Sequence, residues 1–171
     1  MQLLKRCFYF TSLFLSGASL VTMTLLILAQ IVARSMEYVI PSSEDFAGWL
    51  LSATVFFGLA FTFNNGGHIR VSILLIRLSA STRRILEIFN LFIGLLISGF
   101  LMVYTIYTVY ESYIYEEVSD TYLAVDLWLV QLPMAVGSLF LFIAILDNTL
   151  VMLKGKTPEY LSNEESLESM E

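Results

Sequence analysis

Four stretches of this chain are each long and apolar enough to cross a bilayer, and they constrain the fold more than any other feature. They run Phe8–Ala33, Phe46–Phe63, Ile85–Tyr110 and Leu127–Leu153. A hydrocarbon core of ~30 Å takes about 20 helical residues at ~1.5 Å each, with roughly 17 to 25 tolerated and more if the helix tilts. None of the four has a lysine or arginine in its apolar body, and Pro133 is the only proline inside one. Only 14% of the 171 residues are charged, where a soluble domain has about a quarter. The expected fold is an all-α integral membrane protein with four transmembrane helices in one membrane domain, residues 1–153, rather than a soluble helical bundle.

Lys5 and Arg6 ahead of the first block, with small residues at Ser16–Ser19, have the elements of a cleaved signal peptide. The apolar run continues unbroken to Ala33, past any plausible signal core, so a retained first helix is expected. Charge then sets the orientation. Lys5 and Arg6, then Arg70, Arg77, Arg83 and Arg84, then Lys154 and Lys156 fall in segments that share one side, whereas the opposite loops hold only Arg34. By the positive-inside rule both termini and the loop from Asn64 are cytoplasmic. The outer loops are acidic: Glu37, Glu44 and Asp45 in one, Glu111, Glu116, Glu117, Asp120 and Asp126 in the other. Trp49, Trp128 and the tyrosines from Tyr104 to Tyr115 mark the outer boundary, where amphipathic rings seat at headgroup level. The net charge of −6 owes much to the end of the chain, residues 154–171, which reads as a solvated, disordered cytoplasmic tail carrying five acids. Cys7, the single cysteine, permits no internal disulfide.

The segment FNNGGHIRVSILLIRLS, residues 63–79, interrupts this pattern. Asn64, Asn65, Gly66 and Gly67 are helix stop signals. Beyond them Val71, Leu74, Leu75 and Leu78 recur at helical spacing, with Arg70 and Arg77 off that face. The pattern predicts a short amphipathic interfacial helix over about residues 69–82, its arginines on phospholipid phosphates. His68, the only histidine, has no carboxylate nearby in sequence, so a structural role at the turn is expected rather than a metal site or proton relay.

Several chemistries are excluded. No phosphate-cradling glycine loop is present, a lone histidine cannot supply paired haem ligands, and a lone cysteine cannot run disulfide exchange. No cofactor, metal site or nucleic-acid partner is expected, nor an enzyme. Asp147 is the one acid well inside an apolar run, about 10 Å from the cytoplasmic end at ~1.5 Å per residue. Pairing with Arg83, Arg84 or a partner's basic group is expected of it, ahead of a coupling-ion site. Gly58, Gly94, Ser98 and Gly99 are small residues that let helices approach closely, and Pro133 is expected to kink the fourth helix near its outer end. Four helices with little intramembrane polarity point to an accessory subunit.

The run from Gln30 to Arg77 resembles the small membrane subunit, DctQ-like, of tripartite ATP-independent periplasmic (TRAP) transporters. The features that carry the resemblance are Arg34 closing the first helix, the acidic pair Glu44-Asp45 opening the second, Gly58 within it, and HIRVS from His68. Trp128, Pro133 and Gly137 add a weaker match in the fourth helix. Ser42 stands where a tryptophan is common, and Ser72 replaces the usual aspartate after HIRV.

The resemblance implies a scaffold that pairs with a much larger elevator-type permease subunit in the inner membrane of a bacterium. A periplasmic binding protein would deliver an organic acid, such as a C4-dicarboxylate or a sialic acid, and a sodium gradient would drive uptake. Arg34, Gly58, His68, Arg70 and Asp147 are then candidates for the subunit interface or scaffold. Glu44 and Asp45 are candidates for docking the binding protein, and Trp49, Arg77 and Trp128 for membrane anchoring. The alternative is a self-contained four-helix transporter acting as a homodimer, which usually needs a carboxylate within the first helix; none lies between Phe8 and Ala33. A subunit that anchors a redox partner is a third reading, lowered by the lack of cofactor ligands.

Overall fold

The computed structural model describes residues 2–65 and 80–155, and among them the chain is helical apart from its connections. Four helices follow one another: α1 (Gln2–Ser35), α2 (Ser43–Asn64), α3 (Ala80–Ile114) and α4 (Leu127–Leu153). All four are long and apolar enough to span a membrane. In lipid each backbone N–H and C=O must be paired within the protein, so a continuous helix is how such a run satisfies itself. At 34 and 35 residues, α1 and α3 reach about 50 Å at ~1.5 Å per residue, beyond a ~30 Å hydrocarbon core. They must therefore tilt or project from it. The interfacial helix expected at residues 69–82 and the acidic tail from residue 156 lie outside the described residues, except that residues 80–82 belong to the start of α3.

Helices pack in the spatial order α1, α2, α4, α3, and the register of each seam is legible in its contacts. Ser12 on α1 donates its hydroxyl to the carbonyl of Phe57 on α2, and Ser16 donates to that of Thr54 at 2.7 Å. Rising numbers on α1 meet falling numbers on α2, so the two are antiparallel. Down the α3–α4 seam Gly94 faces Ile145, Gly99 faces Phe142, Thr105 bonds Ser138 at 2.7 Å, and Tyr113 meets Trp128 edge-on. That pair is antiparallel as well. Between α2 and α4 the numbers rise together: Ser42 accepts from the N–H of Leu123, and Phe56 lies against Gly137. The two central helices are parallel, with an antiparallel partner on each outer flank.

Buried positions show how the seams are held. On α3 they include Glu87, Leu91, Ser98, Thr105 and Ser112, and on α4 Ser138, Leu141, Ile145, Asn148 and Met152. Steps of three, four and seven are the coiled-coil period, which keeps one stripe on the seam along the whole helix. Lipid is as apolar as leucine, so helices gain little by hiding apolar side chains from it. Close contact and hydrogen bonding must hold them instead. Here the seam hydroxyls and amides are tied off locally: Asn148 donates to Ala144 O, and of Thr105 and Ser138 one donates across the seam to the other, whose own proton goes to a carbonyl of its helix, Met102 O or Ala135 O. An apolar cluster of Tyr9, Ala60, Phe63, Leu91, Leu141 and Ala144 joins all four helices toward the end where α1 begins. The Phe8 and Phe140 rings, 4.9 Å apart, link α1 directly to α4 there.

The tightest point is Gly137. A Cβ built on it would fall 2.5 Å from the carbonyl carbon and oxygen of Phe56, inside van der Waals contact with backbone that cannot rotate away. Gly58 is less constrained, because its Cβ would meet the Ser16 hydroxyl at 3.1 Å, and Gly48 has nothing within 4 Å. Gly137→Ala is therefore expected to push α2 off α4 at a cost of about 1–3 kcal/mol, as overpacking does. Its melting temperature in detergent should fall by several degrees while that of Gly48→Ala stays at the wild-type value.

Candidate functional site

Among the described residues no three His, Cys, Asp or Glu side chains converge on a metal position. What the ends of the bundle do carry is fastening. At the basic end Lys5 of α1 donates to the Asp147 carboxylate of α4 at 2.5 Å, with about a quarter and a third of the two side chains exposed. Lys5 was not among the expected partners, which were Arg83, Arg84 or a basic group of another subunit, and the Arg83 side chain lies outside those described. Arg84 stands instead beside Gly155, past the end of α4, where Gly155 takes the left-handed conformation (φ 78) that a terminating glycine adopts without a Cβ penalty. Lys5 wins because the packing of α1 beside α2 and α4 sets its four-carbon stem next to the carboxylate.

At the opposite, acidic end Arg34 in the last turn of α1 bonds Glu44 in the first turn of α2 at 2.6 Å, and the Gln30 amide reaches the same carboxylate at 3.4 Å. Both charges also complement the helix dipoles they sit on. The two residues are largely exposed, so in water such a pair is worth about 0–1 kcal/mol and serves chiefly to set the α1–α2 corner. Asp45 beside it has no ion-pair partner among the described residues. Trp49 packs edge-on to Phe46 at 4.8 Å, and Trp128 edge-on to Tyr113 at 5.7 Å, each at the first turns of α2 and α4. Gly58 lies on the α1–α2 seam, so its close neighbour is this chain itself.

The two loops at the acidic end are built rather than slack. α1 and α3 both end in a left-handed acid, Glu37 (φ 58) and Glu116 (φ 49). The next N–H reaches back five residues in each case, Tyr38 to Ala33 O and Glu117 to Ser112 O. This is the Schellman turn, which usually takes glycine at that place. The connection from α3 to α4 folds on itself through a Val118–Asp126 bridge, with Ser119 bonding Val125 and Thr121 inside it. Its Leu123 N–H reaches Ser42, itself left-handed (φ 56) and at the N-cap of α2 without capping by its side chain. The Ser42 hydroxyl has been given to the neighbouring loop instead, and this ties the two acidic loops together.

Residues 23–155 match the sequence profile of the family described as tripartite ATP-independent periplasmic transporters, DctQ component. The chain belongs to this family. Comparison with individually curated proteins gives no match. Of the family-linked positions, Arg34, Glu44, Asp45, Gly58, Trp128 and Gly137 fall where helices meet or end, Pro133 lies inside α4, and His68, Arg70 and Arg77 lie outside the described residues. Reading this DctQ component from sequence missed Lys5, Ser12, Ser16 and Ser42 as fasteners. Serines within apolar runs carried no mark of which carbonyl they would reach.

The Lys5–Asp147 bond is the only described charge pair near the membrane-spanning bodies that joins α1 to α4. In a double-mutant cycle of Lys5→Met and Asp147→Leu, each single variant should melt several degrees below wild type. The double variant should lose less than the sum, with a coupling of about 1–2 kcal/mol. Strict additivity would mean that the bond contributes nothing.

Proposed function

We propose that this DctQ component is the small scaffold subunit of a sodium-driven uptake system for an organic acid of the C4-dicarboxylate or sialic acid class. It sits in a bacterial inner membrane against a larger elevator-type permease subunit, with the basic end cytoplasmic and the acidic end facing a periplasmic binding protein. The observation that carries this reading is the family match over residues 23–155. The internal packing supports it. Ser12, Ser16, Thr105 and Ser138 are spent on holding helices together, which suits a static element, and a third of the apolar window of α4 is buried against 6% of that of α1. Broad flanks are thus left for lipid and for a larger neighbour. The chain itself performs no catalysis in this reading.

The acidic end supports a docking role for the same subunit. Asp45 and the tied loops offer fixed negative charge, which would steer a binding protein bearing basic patches. Glu44 contributes less, because Arg34 already takes its charge. Reversing both as Glu44→Lys with Asp45→Lys should lower uptake several-fold at limiting binding protein and much less at saturating binding protein. Equal uptake at both would remove this pair from the docking surface.

The scaffold reading itself is tested by tagging the protein in its native host, extracting it in mild detergent and identifying what co-purifies by mass spectrometry. A stoichiometric polytopic permease is expected. Recovery of the chain alone, or as a homodimer with transport activity of its own, would overturn the assignment.

A further inference from the structure

Between the start of α1 and the end of α2 the basic end is cleft, and we propose that this cleft binds the phosphate headgroup of an anionic phospholipid. The cavity measures about 290 Å³, with Lys5, Arg6, Tyr9, Phe10, Phe61 and Asn65 in its lining. Its volume is below the roughly 300–1,000 Å³ of drug-sized pockets, which suits a headgroup whose acyl chains remain outside.

The donors are arranged by the fold rather than by chance proximity. The Lys5–Asp147 bond neutralises one cation and fixes the first turns of α1, so the charge left over is that of Arg6. Arg6 is exposed and has no ion-pair partner among the described residues. A guanidinium presents a planar fork of donors that matches phosphate oxygens two at a time, and it keeps its charge at any physiological pH. Asn65 ends α2, and its side-chain amide gives one N–H to Phe61 O at 2.9 Å, leaving the second for a ligand. Lys5 likewise keeps N–H groups beyond the one that Asp147 accepts. A tetrahedral anion takes hydrogen bonds from several directions at once, as these groups would give them.

Phe10 and Phe61 make the phospholipid the source of that phosphate rather than a soluble ester. Phe10 is 64% exposed and, with Phe61, forms an apolar wall beside the donors. A water-borne phosphate gains nothing from such a wall, whereas the glycerol and first methylenes of a lipid bury against it. The proposal rests on the reading that these helices cross a bilayer with this end at a headgroup layer.

The full chain in mild detergent tests it. Added phosphatidylglycerol should raise its melting temperature by several degrees, and phosphatidylcholine by much less. Arg6→Gln should remove at least half of the phosphatidylglycerol shift, and Asn65→Leu part of it. Arg84→Gln, which removes a basic residue at the same end but outside the cleft, should keep it. Native mass spectrometry should show at least one fewer retained phosphatidylglycerol on Arg6→Gln than on wild type, a readout that survives if the variant is less stable. The proposal is overturned if Arg6→Gln and Asn65→Leu keep the full shift and the same retained lipid. It is equally overturned if Arg84→Gln loses as much, which means diffuse charge attraction, or if millimolar glycerol phosphate reproduces the shift, which means a soluble ester. Failure of the scaffold assignment would show separately, as the absence of a co-purifying permease while the lipid shift persists.

Discussion

The close crossing of α2 and α4 at Gly137 governs how this bundle is assembled. A membrane helix has no hydrophobic reason to leave lipid for another helix, so its neighbours are chosen by how nearly two backbones can approach. Phe56 and Gly137 approach so nearly that no side chain fits between them. Because α2 and α4 both begin at the acidic end, this contact makes the middle of the bundle a parallel pair. Short connections then leave α1 and α3 to fall antiparallel on the flanks. On the outer seams the contact is softer, with Ser16 against Gly58 and Phe142 against Gly99. There, hydroxyl bonds, those of Ser12 and Ser16 to carbonyls of α2 and that between Thr105 and Ser138, do what steric fit does at the centre.

The presence of four spans could be read from the chain because bilayer thickness imposes a length that no other environment demands. Leu127–Leu153 appears in the structure with the bounds of its apolar block. Ser35 and Ile114, where α1 and α3 end, lie past the last residues of theirs, since helix propensity and the Schellman turns at Glu37 and Glu116 carry the helices on into polar sequence. Which helix neighbours which was not legible, because hydrophobic period says only that a face is buried. Asp147 illustrates the limit. Arg84 was a plausible partner by depth, yet the carboxylate meets Lys5, 142 residues away. Gly58 stood out as a small residue and Gly137 only as a family-linked one, and the packing reveals that both face this chain and that Gly137 is the tighter.

The acidic end shows a second kind of feature hidden from sequence. Ser42, Glu37 and Glu116 occupy left-handed backbone that favours glycine, and strain of this sort persists only where the surroundings hold it. For Ser42 the surroundings are visible: its hydroxyl receives the Leu123 N–H and binds two loops that are far apart in sequence. A loop read only as acidic is braced by the Val118–Asp126 bridge and the Ser119 bonds. The charges at this end are therefore presented in fixed places, as docking requires and as a merely soluble loop would not need.

A transport path and a scaffold make opposite demands on intramembrane polarity. A path needs polar groups that face a common space and stay free to exchange partners with an ion or solute. Here Ser12 and Ser16 are committed to carbonyls of α2, Thr105 and Ser138 to each other, Asn148 to its own helix, and Asp147 to Lys5. Apart from that of Asn148, each of these bonds closes a seam, and freeing one to meet a solute would open the contact it maintains. The same commitment makes the bundle a firm surface for a neighbour to move against. For the proposed scaffold this is the useful arrangement, because the bond that holds a seam is the one a solute would have to displace.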